Sequence, residues 1–235
     1  KDNLVELDQW HRIDLPKLLS SREPNAFLTQ PELVKLMEWK LKKGKWRSQL
    51  MKFVRDLTDS QVQAASKKAF AELKNGHVKA AVEALAALKG VGPATASAVL
   101  AAYDEQVPFM GDEALEAIAS VIGPRKYTLP HFMSFFEELT KKSEWLNAHT
   151  KKTEDSWTPQ RVQLCLYVEA NATAKPSKTK TKDEAKKIST TTQKKRKKEE
   201  VEAESDMADE PPRQSLDDAP STTSLRRSRR RTNRS

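Results

Sequence analysis

The stretch ALKGVGPATASAVLAAY, Ala87 to Tyr103, constrains the fold of this chain more than any other. It sets Gly90-Val91-Gly92 between two alanine-rich apolar runs, in a chain that holds only 6 glycines. Upstream, Val82, Leu85 and Leu88 recur at the spacing of one helix face. Downstream, Pro93 stands where a new helix would have its first turn, a place that suits its fixed φ and missing N–H. Thr95, Ala96, Val99, Leu100 and Tyr103 continue that second helix. The two glycines can adopt conformations that other residues resist, and Val91 is free to turn inward between the helices. The spacing predicts a tight helix-hairpin-helix over residues 78–103.

The same glycines bear on chemistry. Without side chains, the turn leaves backbone N–H groups bare at the start of the second helix, where the helix dipole is positive. That arrangement binds a phosphate group. Lys89, Gly90, Val91, Gly92, Pro93, Ala94 and Thr95 are therefore candidate contacts to a phosphodiester backbone, which would position the protein on nucleic acid without reading its sequence.

The rest of the front part also reads as helix. Thr29-Gln30-Pro31-Glu32 has the form of a capping box, with Pro31 in the first turn. A helix follows through Leu33, Leu36, Met37 and Leu41, with Gly44 as its stop. A second is expected from near Trp46, a third from about Ser60 to Lys74, and one from Asp112 to Gly123. Pro130 opens another that either continues or breaks before Trp145, and Thr158-Pro159 starts the last. No segment alternates as a strand. The expectation is an all-α domain of about eight or nine helices over residues 1–169, a size within the usual range for one domain.

Near Ala170 the composition changes to Lys, Thr, Ser, Glu and Pro, with almost no large apolar residue. Such a segment cannot bury enough surface to offset the entropy of ordering it, so residues 170–235 are expected to be a disordered tail. The tail also holds most of the net charge of +9. Residues 171–235 carry 18 Lys+Arg against 11 Asp+Glu, whereas the remainder carries 24 against 22. Any nucleic-acid surface on the folded part must then be a local patch. Lys194, Lys195, Arg196, Lys197 and Lys198 form one basic run and Arg226 to Arg231 another. Both read as nuclear import signals, to be met by the import machinery, or as tethers to nucleic acid.

A local patch of the required kind is EWKLKKGKWR. It gathers Lys40, Lys42, Lys43, Lys45 and Arg47 around one helix end, interleaved with Trp39 and Trp46. Lys42, Lys43, Lys45 and Arg47 are candidate DNA contacts. Equally, cations suit a helix C-terminus and both tryptophans could belong to the core. Several chemistries are excluded. The single cysteine, Cys165, rules out cysteine-built zinc or iron–sulfur sites, and the 4 histidines have no metal-ligand spacing. There is no Walker loop and no dinucleotide fingerprint. No metal and no cofactor are expected, and no apolar run is long enough for a membrane span.

Leu88-Lys89-Gly90-Val91-Gly92-Pro93-Ala94-Thr95-Ala96 resembles the hairpin of the helix-hairpin-helix DNA glycosylase superfamily. The resemblance is strong over residues 82–121 and only architectural elsewhere. It implies duplex DNA as partner and a catalytic aspartate about twenty residues beyond the second hairpin glycine, after a Val-Pro segment and at a helix start. Val107-Pro108-Phe109-Met110-Gly111-Asp112 puts Asp112 at that offset. In the family that carboxylate stabilises positive charge on the sugar, or activates water, while the base is flipped out. Asp112 could also be an ordinary helix cap. Members that cleave the strand carry a lysine two residues after the second glycine. Ala94 stands there, so lyase chemistry through that position is excluded, and any activity is expected to be base removal by water. The layout is also similar to the Amun-like nuclear proteins, on the basic stretch, the hairpin, Val107 to Asp112 and Trp157-Thr158-Pro159. Three functions fit this reading: a nuclear DNA-binding module without chemistry, a monofunctional DNA glycosylase using Asp112, and a helical scaffold for protein partners.

Overall fold

The structure, a computed structural model, describes residues 3–150 and 156–173. Every regular element among them is helical. The chain opens as one rod in which α1 (Leu4–Gln9) passes through a π-helical turn (Trp10–Asp14) into α2 (Leu15–Ser21). There follow α3 (Gln30–Lys43), α4 (Ser48–Arg55), α5 (Asp59–Lys74), α6 (Val78–Ala86), α7 (Pro93–Tyr103), α8 (Asp112–Ala117), α9 (Ala119–Ile122), α10 (Leu129–His149) and α11 (Pro159–Thr173). With the opening rod counted once, the described residues form ten helices.

Local chemistry explains most of the boundaries. At α3 the capping box forms as the sequence requires. Thr29 Oγ1 accepts from the Glu32 N–H at 3.4 Å, and Glu32 Oε2 accepts from the Thr29 N–H at 2.8 Å. Arg22 locks the same carboxylate with two bonds of 2.8 and 2.6 Å. A second box, at Thr58 and Gln61, starts α5. Three expectations shift. The helix after Gly44 begins at Ser48, because residues 45–47 form no helix and Arg47 is extended. The segment from Asp112 divides at Ile118 into two short helices. And α10 runs unbroken past Trp145. The final helix extends to Thr173, so the folded part reaches beyond the expected limit at residue 169. The basic runs Lys194 to Lys198 and Arg226 to Arg231 lie outside the described residues.

The second helix of the hairpin, α7, is the centre of the core. Every residue from Ala94 to Ala102 is buried, as a helix that is apolar on all sides demands. Its small side chains let α2, α3, α6 and α10 all pack against it. The opening rod contributes Leu7, Trp10, Leu15 and Leu19 to the same core. It also sends His11 inward. The His11 Nε2–H donates to the Ala98 carbonyl of α7 at 2.9 Å, and the ring stacks on Trp39 of α3 at 3.7 Å and 10°. Trp39 Nε1 in turn donates to Asp8 at 3.0 Å. These contacts pin α3, and with it the basic turn that follows, against the hairpin helix.

Candidate nucleic-acid interface

The hairpin uses its two glycines for different purposes. Gly90 has φ +85°, the left-handed region that side chains resist. A Cβ there would also lie 2.7 Å from the Cβ of Phe53 on α4. Gly90 is therefore glycine because the backbone turns left while passing against a phenyl side chain. Gly92 has φ −98° and ψ −179°, an extended conformation open to any residue, and a Cβ there would meet nothing within 4 Å. What Gly92 provides is access: it is exposed and places no side chain of its own over the turn. Between them Val91 is buried, as expected, and its N–H donates to the Leu88 carbonyl at 3.0 Å.

Gly92 is the N-cap of α7, with its carbonyl accepting from the Thr95 and Ala96 N–H groups at 2.9 Å each. The amides of Gly90, Gly92 and Ala94 have no acceptor among the described residues. They stand beside a cavity of about 280 Å³ that opens between the hairpin, the α3–α4 turn and the start of α8. From the hairpin its lining includes Gly90 and Gly92 to Thr95, from the basic turn Lys40, Lys45 and Arg47, and from α8 Asp112 and Glu113, with Tyr127 across the mouth. Three stretches that the sequence offered separately thus meet at one place.

Asp112 does not cap its helix. Gly111 is the N-cap of α8, and Asp112 is the first helical residue. Its side chain, 42% exposed, turns to the loop before α10. Oδ1 accepts from the Tyr127 hydroxyl at 2.8 Å, and Oδ2 pairs with Arg125 at 3.2 Å, which also reaches Glu116 at 2.7 Å. Partial burial and then the bond to Asp112 push the Tyr127 phenol up to about 12. The segment leading to Asp112 is tied to the hairpin helix. Ser97 Oγ of α7 accepts from the Met110 N–H at 2.9 Å, and Gln160 of α11 accepts from the Phe109 N–H at 2.7 Å. The twenty-residue offset between Gly92 and Asp112 has a physical basis: α7 plus this fastened crossing returns the chain to the hairpin mouth.

The basic stretch divides. Lys45 and Arg47 are exposed at the cavity. Lys89 is exposed on the hairpin, with its ammonium 4.6 Å from the centre of the Phe53 ring. Lys42 is engaged elsewhere, paired with Glu38 at 2.6 Å and bonded to Asn3. Lys43 places its ammonium over the Tyr167 ring at 3.6 Å and near Asp8 at 3.5 Å, and burial lowers its pKa. Trp39 is core, while Trp46 is 52% exposed. Among the cavity residues, Tyr127 and its neighbour Arg125 have no sequence signal, since a lone Arg and Tyr after Gly-Pro are unremarkable. Lys40 was visible only as one lysine among several.

With this geometry in view, the family model for the helix-hairpin-helix motif matches residues 73–102, which span the end of α5, all of α6, the glycine turn and nearly all of α7. No curated protein and no solved structure matches the chain. The chain therefore carries a helix-hairpin-helix motif within an all-helical fold, and a motif of this class supports nucleic-acid binding in general. No helix among the described residues is long and apolar enough to cross a membrane.

Proposed function

We propose that this is a nuclear DNA-binding protein of the helix-hairpin-helix, glycosylase-like type. It grips duplex phosphates through Gly90-Val91-Gly92 and the start of α7. The observation that carries this reading is the set of unoccupied amides at Gly90, Gly92 and Ala94, at the positive end of a helix of 11 residues, beside Lys45, Arg47 and Lys89. Hydrogen bonds to charged groups contribute roughly 1.5–3 kcal/mol each, so blocking one of these amides should weaken binding by about 10- to 100-fold.

The test is Gly92→Asp, measured by fluorescence anisotropy on duplexes of unrelated sequence. The open, extended site accepts the side chain, and Asp is a favoured N-cap. Its carboxylate would occupy the Ala94 amide and repel phosphate, so affinity should collapse while the fold keeps its melting temperature. Unchanged binding by a folded Gly92→Asp protein would end the proposal. A second reading, a monofunctional glycosylase, is favoured by one observation: half-exposed Asp112 lines the same cavity as the hairpin. Base release from duplexes carrying a panel of damaged or mismatched bases should then be abolished by Asp112→Asn, and release that survives the substitution would remove Asp112 from the chemistry.

A further inference from the structure

Trp46 stands on the rim of the hairpin cavity with its indole uncovered. The chain has 5 tryptophans, and the rings of the others are all occupied. Trp10 is buried and carries the Lys35 ammonium at 4.6 Å. Trp39 is buried under the His11 ring. Trp157 packs against the core, with its backbone bonded to Asn147. Trp145 is as exposed as Trp46, at 51% against 52%, yet its ring is stacked on His149 at 4.6 Å and lies under Lys142 at 4.1 Å. Trp46 has no ring neighbour, no cation over its face and no side-chain hydrogen bond among the described residues, and it does not join the core.

The segment that carries it explains why. Residues 45–47 form no helix, and Arg47 is extended, with φ −130° and ψ 95°. In extended backbone successive side chains point to opposite sides. Lys45 and Arg47 accordingly line the cavity, and Trp46 lies outside that lining. Lys45, Arg47 and, across the mouth, Lys89 are exposed, and none of them forms an ion pair among the described residues. A bare indole between two uncompensated cations, on the rim of a cavity walled by free hairpin amides, complements a chain that alternates phosphates with flat rings. Single-stranded nucleic acid is such a chain.

A base inside a duplex has both faces covered by its neighbours in the stack. An unpaired base offers a face, and stacking on an aromatic side chain accepts any base because each has a π-face. We infer that Trp46 is the stacking platform for an unpaired nucleotide, and that the DNA this protein selects is a duplex with a single-stranded extension. The duplex phosphates sit at the hairpin, and the first unpaired base leaves the cavity over Trp46. This inference rests on the DNA-binding reading and adds the substrate class to it. The hairpin grips phosphates, which every duplex has, and Trp46 supplies the preference.

The test measures the affinity of the full chain, by fluorescence anisotropy, for three kinds of DNA. These are a blunt duplex, the same duplex with a short single-stranded overhang of either polarity, and the same duplex with a base-free phosphodiester spacer of equal length as its overhang. The spacer keeps the added phosphates and removes the rings. The better overhang with bases should bind about 5- to 100-fold tighter than its base-free counterpart, the range that one stacked base supplies. Trp46→Ala should erase that ratio and Trp46→Phe should retain part of it, both with melting temperature unchanged because the side chain is exposed. Gly92→Asp should weaken all three DNAs together. In the unsubstituted protein, indole emission should be quenched by the overhang with bases and not by the spacer. Equal affinity for the two overhangs, or a ratio that survives Trp46→Ala, overturns the inference and leaves the DNA-binding reading standing so long as the blunt duplex binds. A Trp46→Ala protein that loses blunt and overhang affinity by the same factor also overturns it, since the ring then serves paired DNA. Failure of all three DNAs to bind overturns both readings.

Discussion

Alanine placed at each hairpin glycine in turn separates the two jobs assigned to them. At Gly90 the backbone has φ +85°, and holding an L-residue in that region costs roughly 1–2 kcal/mol. The new methyl would lie 2.7 Å from Phe53 Cβ, an atom rooted in the α4 backbone rather than at the end of a flexible chain. Forced repacking of that kind costs typically 1–3 kcal/mol. Against this, alanine restricts the unfolded chain and returns about 0.4–1 kcal/mol. Gly90→Ala should therefore destabilise by about 2–4 kcal/mol. For a domain of this size each kcal/mol moves the melting temperature by about 2–4 °C, giving a fall of about 4–16 °C. At Gly92 alanine meets nothing, and its φ of −98° is ordinary. The entropic gain is set against a modest loss because alanine is a poorer N-cap than glycine, and the net change should stay within about 1 kcal/mol. Thermal unfolding followed by circular dichroism reads both. If the two variants melt within a degree or two of each other, the assignment of Gly90 to backbone geometry and Gly92 to access is wrong.

Three further outcomes follow from the structure. His11 is buried without a partner for Nδ1 among the described residues, and burial lowers its pKa from 6.5 to about 4, against the opposing bond to Ala98. The unfolded chain then binds the extra proton first as pH falls, so about 3 kcal/mol of stability, present above pH 6.5, should drain away between pH 6.5 and 4; His11→Phe should flatten that part of the urea-unfolding profile, and an unchanged profile would show that the imidazole is not held neutral. Lys45→Ala and Arg47→Ala should each reduce the slope of log K against log salt by about 0.9, whereas Lys42→Ala, whose ammonium faces Glu38, should leave it unaltered; equal slopes for all three would remove the basic turn from the interface. Arg125→Ala breaks the pairs with Asp112 and Glu116, but all three side chains are more than a third exposed, so stability should fall by less than about 1 kcal/mol; duplex affinity should fall several-fold as Asp112 loses its counter-charge, and unaltered affinity would place Asp112 away from the bound strand.

Much of the architecture was legible because it rests on short-range chemistry. The box at Thr29 and Glu32, the stop at Gly44, Pro93 in a first turn and the apolar periodicity of α6 each act within a few residues. What escaped was set by tertiary context. The opening rod joins the core through a π-helical turn, and its inward histidine depends on a carbonyl 87 positions away. The start of α4 slipped from Trp46 to Ser48 because Arg47 is extended, and Trp46 stands in the solvent as a result. The split at Ile118 has no glycine or proline to mark it, whereas the stop at Gly123 has both features of a terminator: a glycine with φ +87° and a following proline.

The candidate site shows the same division more sharply. Gly90 to Thr95 and Asp112 could be found from the sequence because α7 and the segment fastened by Ser97 and Gln160 fix their separation along the chain. Lys40 could not, since nothing local distinguishes it from Lys42 and Lys43; all three belong to the last turn and a half of α3. Their fates differ because consecutive helix positions point about 100° apart. One direction meets Glu38 and Asn3, another meets Trp39, Tyr167 and Asp8 at the edge of the hairpin cavity, and the third reaches that cavity beside Asp112. The rotation of α3 that decides this is held by the stacking of His11 on Trp39 and by the His11 bond to α7. The hairpin therefore faces a lysine whose direction is set by packing that begins at His11, far upstream of it.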